Sequence, residues 1–195
     1  MLDIAKLSPL HIYILIHLRR ANIDYAKSIS KITKIDQQEI EKALKELEEL
    51  GLIDRSHGSA IKRTAARFKL SHEVHKHHTY YCLTRLGEHT SRMLRDLLGD
   101  YLSSITGYDA ALDIIEYLAK AECEHAGWLA RVFSMKVSDV QSLLTKLLDL
   151  GLLSECKAKV LKKKHRKGKP KKETRTHHTY YRLSRLGEMM LRYIR

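Results

Sequence analysis

Cysteine is scarce in this chain, with three residues in 195. Cys82, Cys123 and Cys156 make an odd set without CxxC spacing, so neither a disulfide framework nor a zinc site is expected, and a reducing cytoplasm is the default. Long apolar runs are missing too. Leu10 to Leu18 spans about nine residues, well short of the roughly twenty a bilayer requires. Asp3 and Lys6 precede that run and no small-residue cleavage site follows it, so it is not expected to act as a signal peptide. There is no phosphate-binding glycine loop, no GxSxG, no spaced carboxylate pair and no HExxH. No pattern therefore points to catalysis, and no cofactor or metal is expected. What remains is a chain 44% hydrophobic and 30% charged, the balance of a soluble globular protein. Its length suits two domains of about 100 residues.

The chain is a duplication. His77-His78-Thr79-Tyr80-Tyr81 returns letter for letter at His177-His178-Thr179-Tyr180-Tyr181. Leu83-Thr84-Arg85-Leu86-Gly87-Glu88 returns as Leu183-Ser184-Arg185-Leu186-Gly187-Glu188, and Leu50-Gly51-Leu52-Ile53 as Leu150-Gly151-Leu152-Leu153. An internal repeat sets the architecture before any local pattern does. The expected domains are 1–106 and 107–195. Ser8-Pro9 caps a first apolar helix to about Arg20, matched by one from Asp109. Second helices are expected over 25–33 and 127–134. Third helices follow Asp36-Gln37-Gln38-Glu39 and Ser138-Asp139-Val140-Gln141, each read as a capping box, and end at Gly51 and Gly151. Strands then begin at Leu52 and Leu152, and Thr79–Leu83 and Thr179–Leu183 are their partners. Final helices start near Thr84 and Ser184. The first of these is long, with Leu86, Met93, Leu94, Leu97, Leu98, Tyr101 and Leu102 at helical spacing, and Gly99 and Gly107 interrupt it.

This element order is that of a winged helix-turn-helix. Leu44-x-x-Leu47-Glu48-x-x-Gly51-Leu52-Ile53 resembles a recognition helix entering a wing. Tyr81-x-Leu83-Thr84-x-x-Gly87 resembles the wing's return strand in regulators of the MarR and PadR kind. The whole chain is similar to archaeal tandem winged-helix proteins of unassigned function. That resemblance implies an α+β, predominantly helical fold of two tandem winged-helix domains.

The formal charge of +13 is unevenly spread. Residues 157–175 carry a net +10 and residues 55–76 a net +5, so the rest of the chain is slightly acidic. A run as basic as Lys162 to Lys172 cannot pack into a core, and its self-repulsion suits it to a polyanion. The expected partner is nucleic acid, with duplex DNA favoured. Lys157, Lys159, Lys162, Lys163, Lys164, Arg166, Lys167, Lys169, Lys171, Lys172 and Arg175 form the main phosphate grip. Lys62, Arg63 and Arg67 contribute more weakly. Base contacts are expected from the second domain's third helix, through Ser138, Gln141, Ser142, Thr145 and Lys146. The first domain's third helix has a net charge of −4 over 36–50, so only its N-terminal part, Gln37, Gln38 and Lys42, with Lys45 as a further candidate, looks usable there. A transcriptional regulator or chromatin-associated factor is the leading reading.

Other readings stand beside it. The acidic third helix suits a protein partner, which would make the chain an adaptor. A basic segment binds RNA as readily as DNA, and such a run also serves as a solubilising loop. The apolar stripe from Leu86 to Leu102 is either core and interdomain packing or a homodimer interface. His72, His75, His77 and His78 suggest a metal, but only the His-His pair recurs, and neighbouring strand residues face opposite ways. The pair is read instead as flanking nucleic acid, with binding that strengthens as pH falls through about 6.5. Tyr81 and Tyr181 are expected in the core, with Tyr80 and Tyr180 pointing outward. No membrane partner is expected.

Overall fold

A computed structural model describes residues 4–57, 67, 78–156 and 178–194. Among them are nine α-helices and two three-stranded sheets, an α+β fold that is predominantly helical. The first repeat runs α1 (Pro9–Ala21), β1 (Ile23–Asp24), α2 (Ala26–Thr33), α3 (Gln37–Glu49), β2 (Ile53–His57), β3 (Thr79–Leu83) and α4 (Arg85–Asp96). After α5 (Leu98–Thr106), the second repeats the order as α6 (Ala111–Ala121), β4 (Glu124–His125), α7 (Ala126–Val132), α8 (Val137–Asp149), β5 (Leu153–Cys156), β6 (Tyr180–Leu183) and α9 (Arg185–Ile194). The long helix expected after Thr84 is broken at Leu97, two residues ahead of Gly99. Gly107 then ends α5 in the left-handed conformation.

Each sheet has its return strand in the middle, in the orders β1-β3-β2 and β4-β6-β5, and every pairing is antiparallel. The two-residue edge strands β1 and β4 leave no periodic trace, and the sequence pattern does not reveal them. They change the burial of the sheet. Tyr80, expected outward, is fully buried, while Tyr81 keeps a sliver of exposure. The reason is Tyr25, which follows β1 and lies edge-on to Tyr80 with 5.3 Å between ring centres. Tyr180 is partly covered in the same way by His125, also at 5.3 Å.

The cysteines depart from expectation as well. Cys123, just before β4, is disulfide-bonded to Cys156 at the end of β5, with Cα atoms 6.5 Å apart. The unforeseen strand β4 brings the two together across 33 positions. Ile23 and Ser56 occupy the equivalent places in the first repeat, so the bridge belongs to the second alone. With two of three cysteines bridged, cysteine usage gives no support for a reducing compartment. Cys82 remains a thiol, and its burial pushes its pKa up, away from the reactive thiolate form.

One core runs through both repeats, from Leu7 to Leu191. Its axis is α1, in which every residue except Arg19 and Arg20 is buried. A helix apolar on all sides must be covered on all sides. α3, α4 and β3 cover it from within its own repeat, and α9 from the other. Tyr193 of α9 stacks on Tyr13 with ring centres 5.8 Å apart, and Arg20 lies 4.8 Å above the Tyr193 ring. Tyr101 of α5 ties the far end, donating to the Leu7 carbonyl at 2.8 Å.

The repeated Leu-Thr/Ser-Arg-Leu-Gly motif is a latch between the helix-ending turn and the last helix. Thr84 Oγ1 accepts from the Gly87 N–H and donates to the Gly51 carbonyl at 2.8 Å. Ser184 does the same with Gly187 and Gly151. The Thr84 and Ser184 N–H groups bond the carbonyls of Leu52 and Leu152. Gly87 and Gly187 press so closely on those carbonyls that an added Cβ would collide with the oxygen.

Two stability predictions follow from this geometry. Gly87→Ala should lose about 3 kcal/mol, because backbone rather than a flexible side chain must yield. Gly99→Ala, whose methyl meets only Leu112 at an ordinary 3.6 Å, should be neutral or stabilising in a helix. Equal urea midpoints for the two variants would contradict the latch. Reducing the disulfide should cost about 3 to 4 kcal/mol through loop-closure entropy, read as a fall in Tm that Cys123→Ser reproduces and Cys82→Ser does not.

Candidate nucleic-acid interface

α8 begins one residue before Ser138. Lys136 is its N-cap and makes no side-chain cap, so the expected capping box at Ser138 is absent. Ser138 instead lies in the first turn, its hydroxyl 3.3 Å from Asp139 Oδ1. Asp36 does cap α3, accepting from the Gln38 N–H at 2.8 Å. The start of α8 sets its surface. Ser138, Gln141, Ser142 and Thr145 recur at three- and four-residue spacing, and all are exposed, so they form one polar stripe. Ser142 and Thr145 donate to carbonyls one turn back, both at 3.0 Å.

Lys146, the fifth residue expected on that stripe, is engaged elsewhere. Its Nζ donates to the Thr106 carbonyl at 2.5 Å and lies 5.2 Å from the Tyr108 ring centre. Thr106 is the last residue of α5, where unpaired carbonyls and the helix dipole attract a cation. Lys146 therefore fastens α8 to the connection between repeats.

On α3, Gln37, Gln38 and Lys42 are all exposed, but two have partners on the same helix. Gln37 Nε2 donates to Glu41 at 2.7 Å, and Lys42 lies 3.9 Å from Glu46. The acids are partly offset in turn. Glu48 holds Arg55 at 2.6 Å, Glu49 lies 3.8 Å from Lys45, and Glu46 also faces His11. Much of the helix's negative charge is thus opposed within the protein.

Arg67 is exposed, and its N–H donates to the Ala21 carbonyl at the end of α1, at 3.1 Å. Lys62 and Arg63 lie outside the described residues, as do the eleven basic residues from Lys157 to Arg175. The strands that bound both segments are described. His57 pairs with Thr79 and Cys156 with Tyr180, so each basic segment connects two adjacent antiparallel strands.

His77 and His177 also lie outside the described residues, whereas their neighbours have similar roles in the two repeats. His78 stacks on Tyr25 with ring centres 4.3 Å apart, and His178 on His125 at 4.8 Å. These rings extend the edge-on Tyr80 and Tyr180 contacts into a short aromatic ladder. Among the described residues, no group of three or more His, Cys, Asp or Glu could hold a metal ion, and no helix is long and apolar enough to cross a membrane.

A buried polar network escaped the sequence reading. His17 Nε2 meets Asp24 Oδ2 at 2.8 Å, both side chains being essentially inaccessible. Asp24 also accepts from Ser28 Oγ at 3.0 Å and the Tyr25 N–H at 2.9 Å. Tyr13 OH lies 3.3 Å from His17 Nδ1. In composition it resembles a hydrolytic triad, but it is sealed beneath Tyr193, whose ring lies 6.1 Å from His17, and it serves to satisfy buried polar groups. The second repeat has Asp113, Tyr117, Glu124 and Trp128 at these four places. The one available signal was this failure of the repeat to match itself.

Two copies of one family model match the chain, over residues 2–94 and 102–194, and its description is that of an uncharacterized protein conserved in archaea. No curated protein and no solved structure matches.

His11, buried at the start of α1, gives folding stability a pH dependence. Its Nδ1 accepts from the Ser8 N–H at 3.1 Å, and Nε2 lies 2.9 Å from Glu46 Oε2. Burial lowers the His11 pKa below its ordinary 6.5, and this outweighs the opposing pull of Glu46. The unfolded chain then binds the proton more readily than the folded one. The stability contribution is complete above pH 6.5 and is lost as pH falls through 6.5 toward the lower folded value. Urea denaturation at pH 7.5 and 5.5 should show a smaller loss for His11→Gln than for the wild type. An equal loss in both would remove His11 from the account.

Proposed function

The chain belongs to the DUF2250 family of archaeal proteins and carries the family's domain twice; from that premise we propose that it is a nucleic-acid-binding protein of tandem winged-helix architecture, acting on duplex DNA as a transcriptional regulator or chromatin-associated factor. In this reading α2–α3 and α7–α8 are the helix-turn-helix pairs, and β2–β3 and β5–β6 are the wings. It works by binding, without catalysis.

The observation that carries the reading is where the charge lies. The two segments joining the strand pairs, 58–78 and 157–179, hold a net +14 against +13 for the whole protein, so a polyanion meets its attraction at two places. Residues 157–175 grip phosphates and set the position on the duplex. Arg67 and its neighbours at 62 and 63 add a weaker second grip. The stripe Ser138, Gln141, Ser142 and Thr145 offers neutral donors and acceptors suited to base edges, flanked by only two acids, Asp139 and Asp149. α3, where Gln37, Lys42 and Lys45 already have acidic partners, contributes least.

Duplex binding measured across a salt series tests this. Engagement of six to eight phosphates implies a slope of log K against log salt of about −5 to −7. Neutralising Lys162, Lys163, Lys164, Arg166, Lys167, Lys169, Lys171 and Lys172 together should flatten that slope by more than half. A duplex affinity that is absent at low salt, or a slope unchanged in the variant, would overturn the proposal. Stronger competition by structured RNA than by duplex DNA would reassign the ligand.

A further inference from the structure

We propose that the face formed by α6 and α7 of the second repeat is a docking site for α4 of a second copy of this chain, joined head to tail. The proposal rests on an interface that the molecule already contains.

Inside one chain, α9 of the second repeat covers α1 and α2 of the first. Leu186 and Tyr193, two turns apart on α9, lie along this contact. Leu186 borders the cleft beside Pro9, Leu10 and Ile35, and Tyr193 stacks on Tyr13 and His17. Arg185 adds a directional bond, Nε donating to the Ile32 carbonyl of α2 at 3.4 Å.

Both halves of that interface exist a second time. α4 is the repeat equivalent of α9 and opens with the same four residues, Arg85-Leu86-Gly87-Glu88. Leu186 is only 6% exposed in its cleft, whereas Leu86 is 47% exposed. His89 beside it is exposed, and Met93, at the place of Tyr193, is half-buried. The equivalent of the covered α1–α2 face is the α6–α7 face. There Tyr117 stands for His17, Trp128 for Ser28 and Val132 for Ile32. Trp128 and Val132 are 40% and 41% exposed. Trp128 is held outward in a set geometry, its Nε1 donating to Tyr117 OH at 2.7 Å, with Phe133 packed edge-on to Tyr117. The first repeat has a buried polar network sealed by Tyr193 at this site; the second has a partly exposed aromatic pair suited to a partner's apolar side chains, with the exposed Asp113 at its edge in the place of Tyr13.

The occupant is therefore defined by the internal example: the helix Arg85–Asp96 of another copy. Leu86 would seat beside Val132 and Met135, which stand where Ile32 and Ile35 stand. Met93 would lie against Tyr117, a favourable sulfur–aromatic contact. Arg85 would reach the Val132 carbonyl as Arg185 reaches that of Ile32. The donor helix and the acceptor face lie on different repeats, so the contact is heterologous, and each copy keeps one donor and one acceptor open for further growth.

Sedimentation velocity on the full chain, freed of nucleic acid and run over a range of protein concentrations, tests this with Leu86→Glu, which blocks the donor, and Val132→Glu, which blocks the acceptor. Both positions are exposed, and circular dichroism checks that each variant is folded; Arg85→Glu and Trp128→Ala serve as second variants for either half. The wild type should form concentration-dependent oligomers, and each variant alone should need at least about tenfold more protein to associate. Mixing the two variants should yield a capped one-to-one dimer, because one retains the donor and the other the acceptor. A wild type that stays monomeric throughout, variants that assemble like the wild type, or a mixture that does not pair would each overturn the proposal.

Discussion

The enclosure of α1 by α9 is the contact on which the rest of the molecule depends. The first helix of the chain is too apolar to lie at a surface, and its own repeat covers it only in part. The last helix supplies the missing side, bringing Tyr193 onto Tyr13 and Arg20. Two domains of about a hundred residues each hold a modest core. Here they share one, so that the halves stabilise each other rather than fold as separate beads. The same contact seals the His17–Asp24 pair, whose buried polar groups need hydrogen-bond partners.

Duplication makes the two copies a comparison within one molecule. Where they agree, the reason is mechanical: the Thr84 and Ser184 latches, the close approach of Gly87 and Gly187 to a carbonyl, and the left-handed Gly51 and Gly151. Where they differ, position in the whole protein explains it. His17 and Ser28 are covered and form a polar network, while Tyr117 and Trp128 are partly exposed and form a hydrogen-bonded aromatic pair. The disulfide likewise sits in only one repeat, beside the strand that leads into the more basic segment. Charge follows the same division of labour: compensated on α3, neutral on the α8 stripe, and concentrated between the paired strands.

Helix positions were largely legible, since capping residues, apolar periodicity and stop glycines act locally. Ser8-Pro9 and Gly51 mark their boundaries for reasons contained within a few residues. The candidate stripe on α8 was legible for the same reason, because four side chains at helical spacing share a face wherever the helix sits. Lys146 was not, because its partner is forty positions away at the end of another helix. Tyr80 was misread because alternation along a strand assigns faces without saying what covers them, and β1 with Tyr25 covers the outer one.

The duplication, the kinds and order of the helices, and the segregation of positive charge are written in the order of the residues, because these depend on composition and near-neighbour spacing. That Cys123 meets Cys156, that His17 is sealed with Asp24, and that Leu186 is buried while its twin Leu86 is open emerge only from the folded arrangement. Each of those outcomes depends on which distant surface arrives at a residue, and identical local sequence carries no information about its neighbours across the fold.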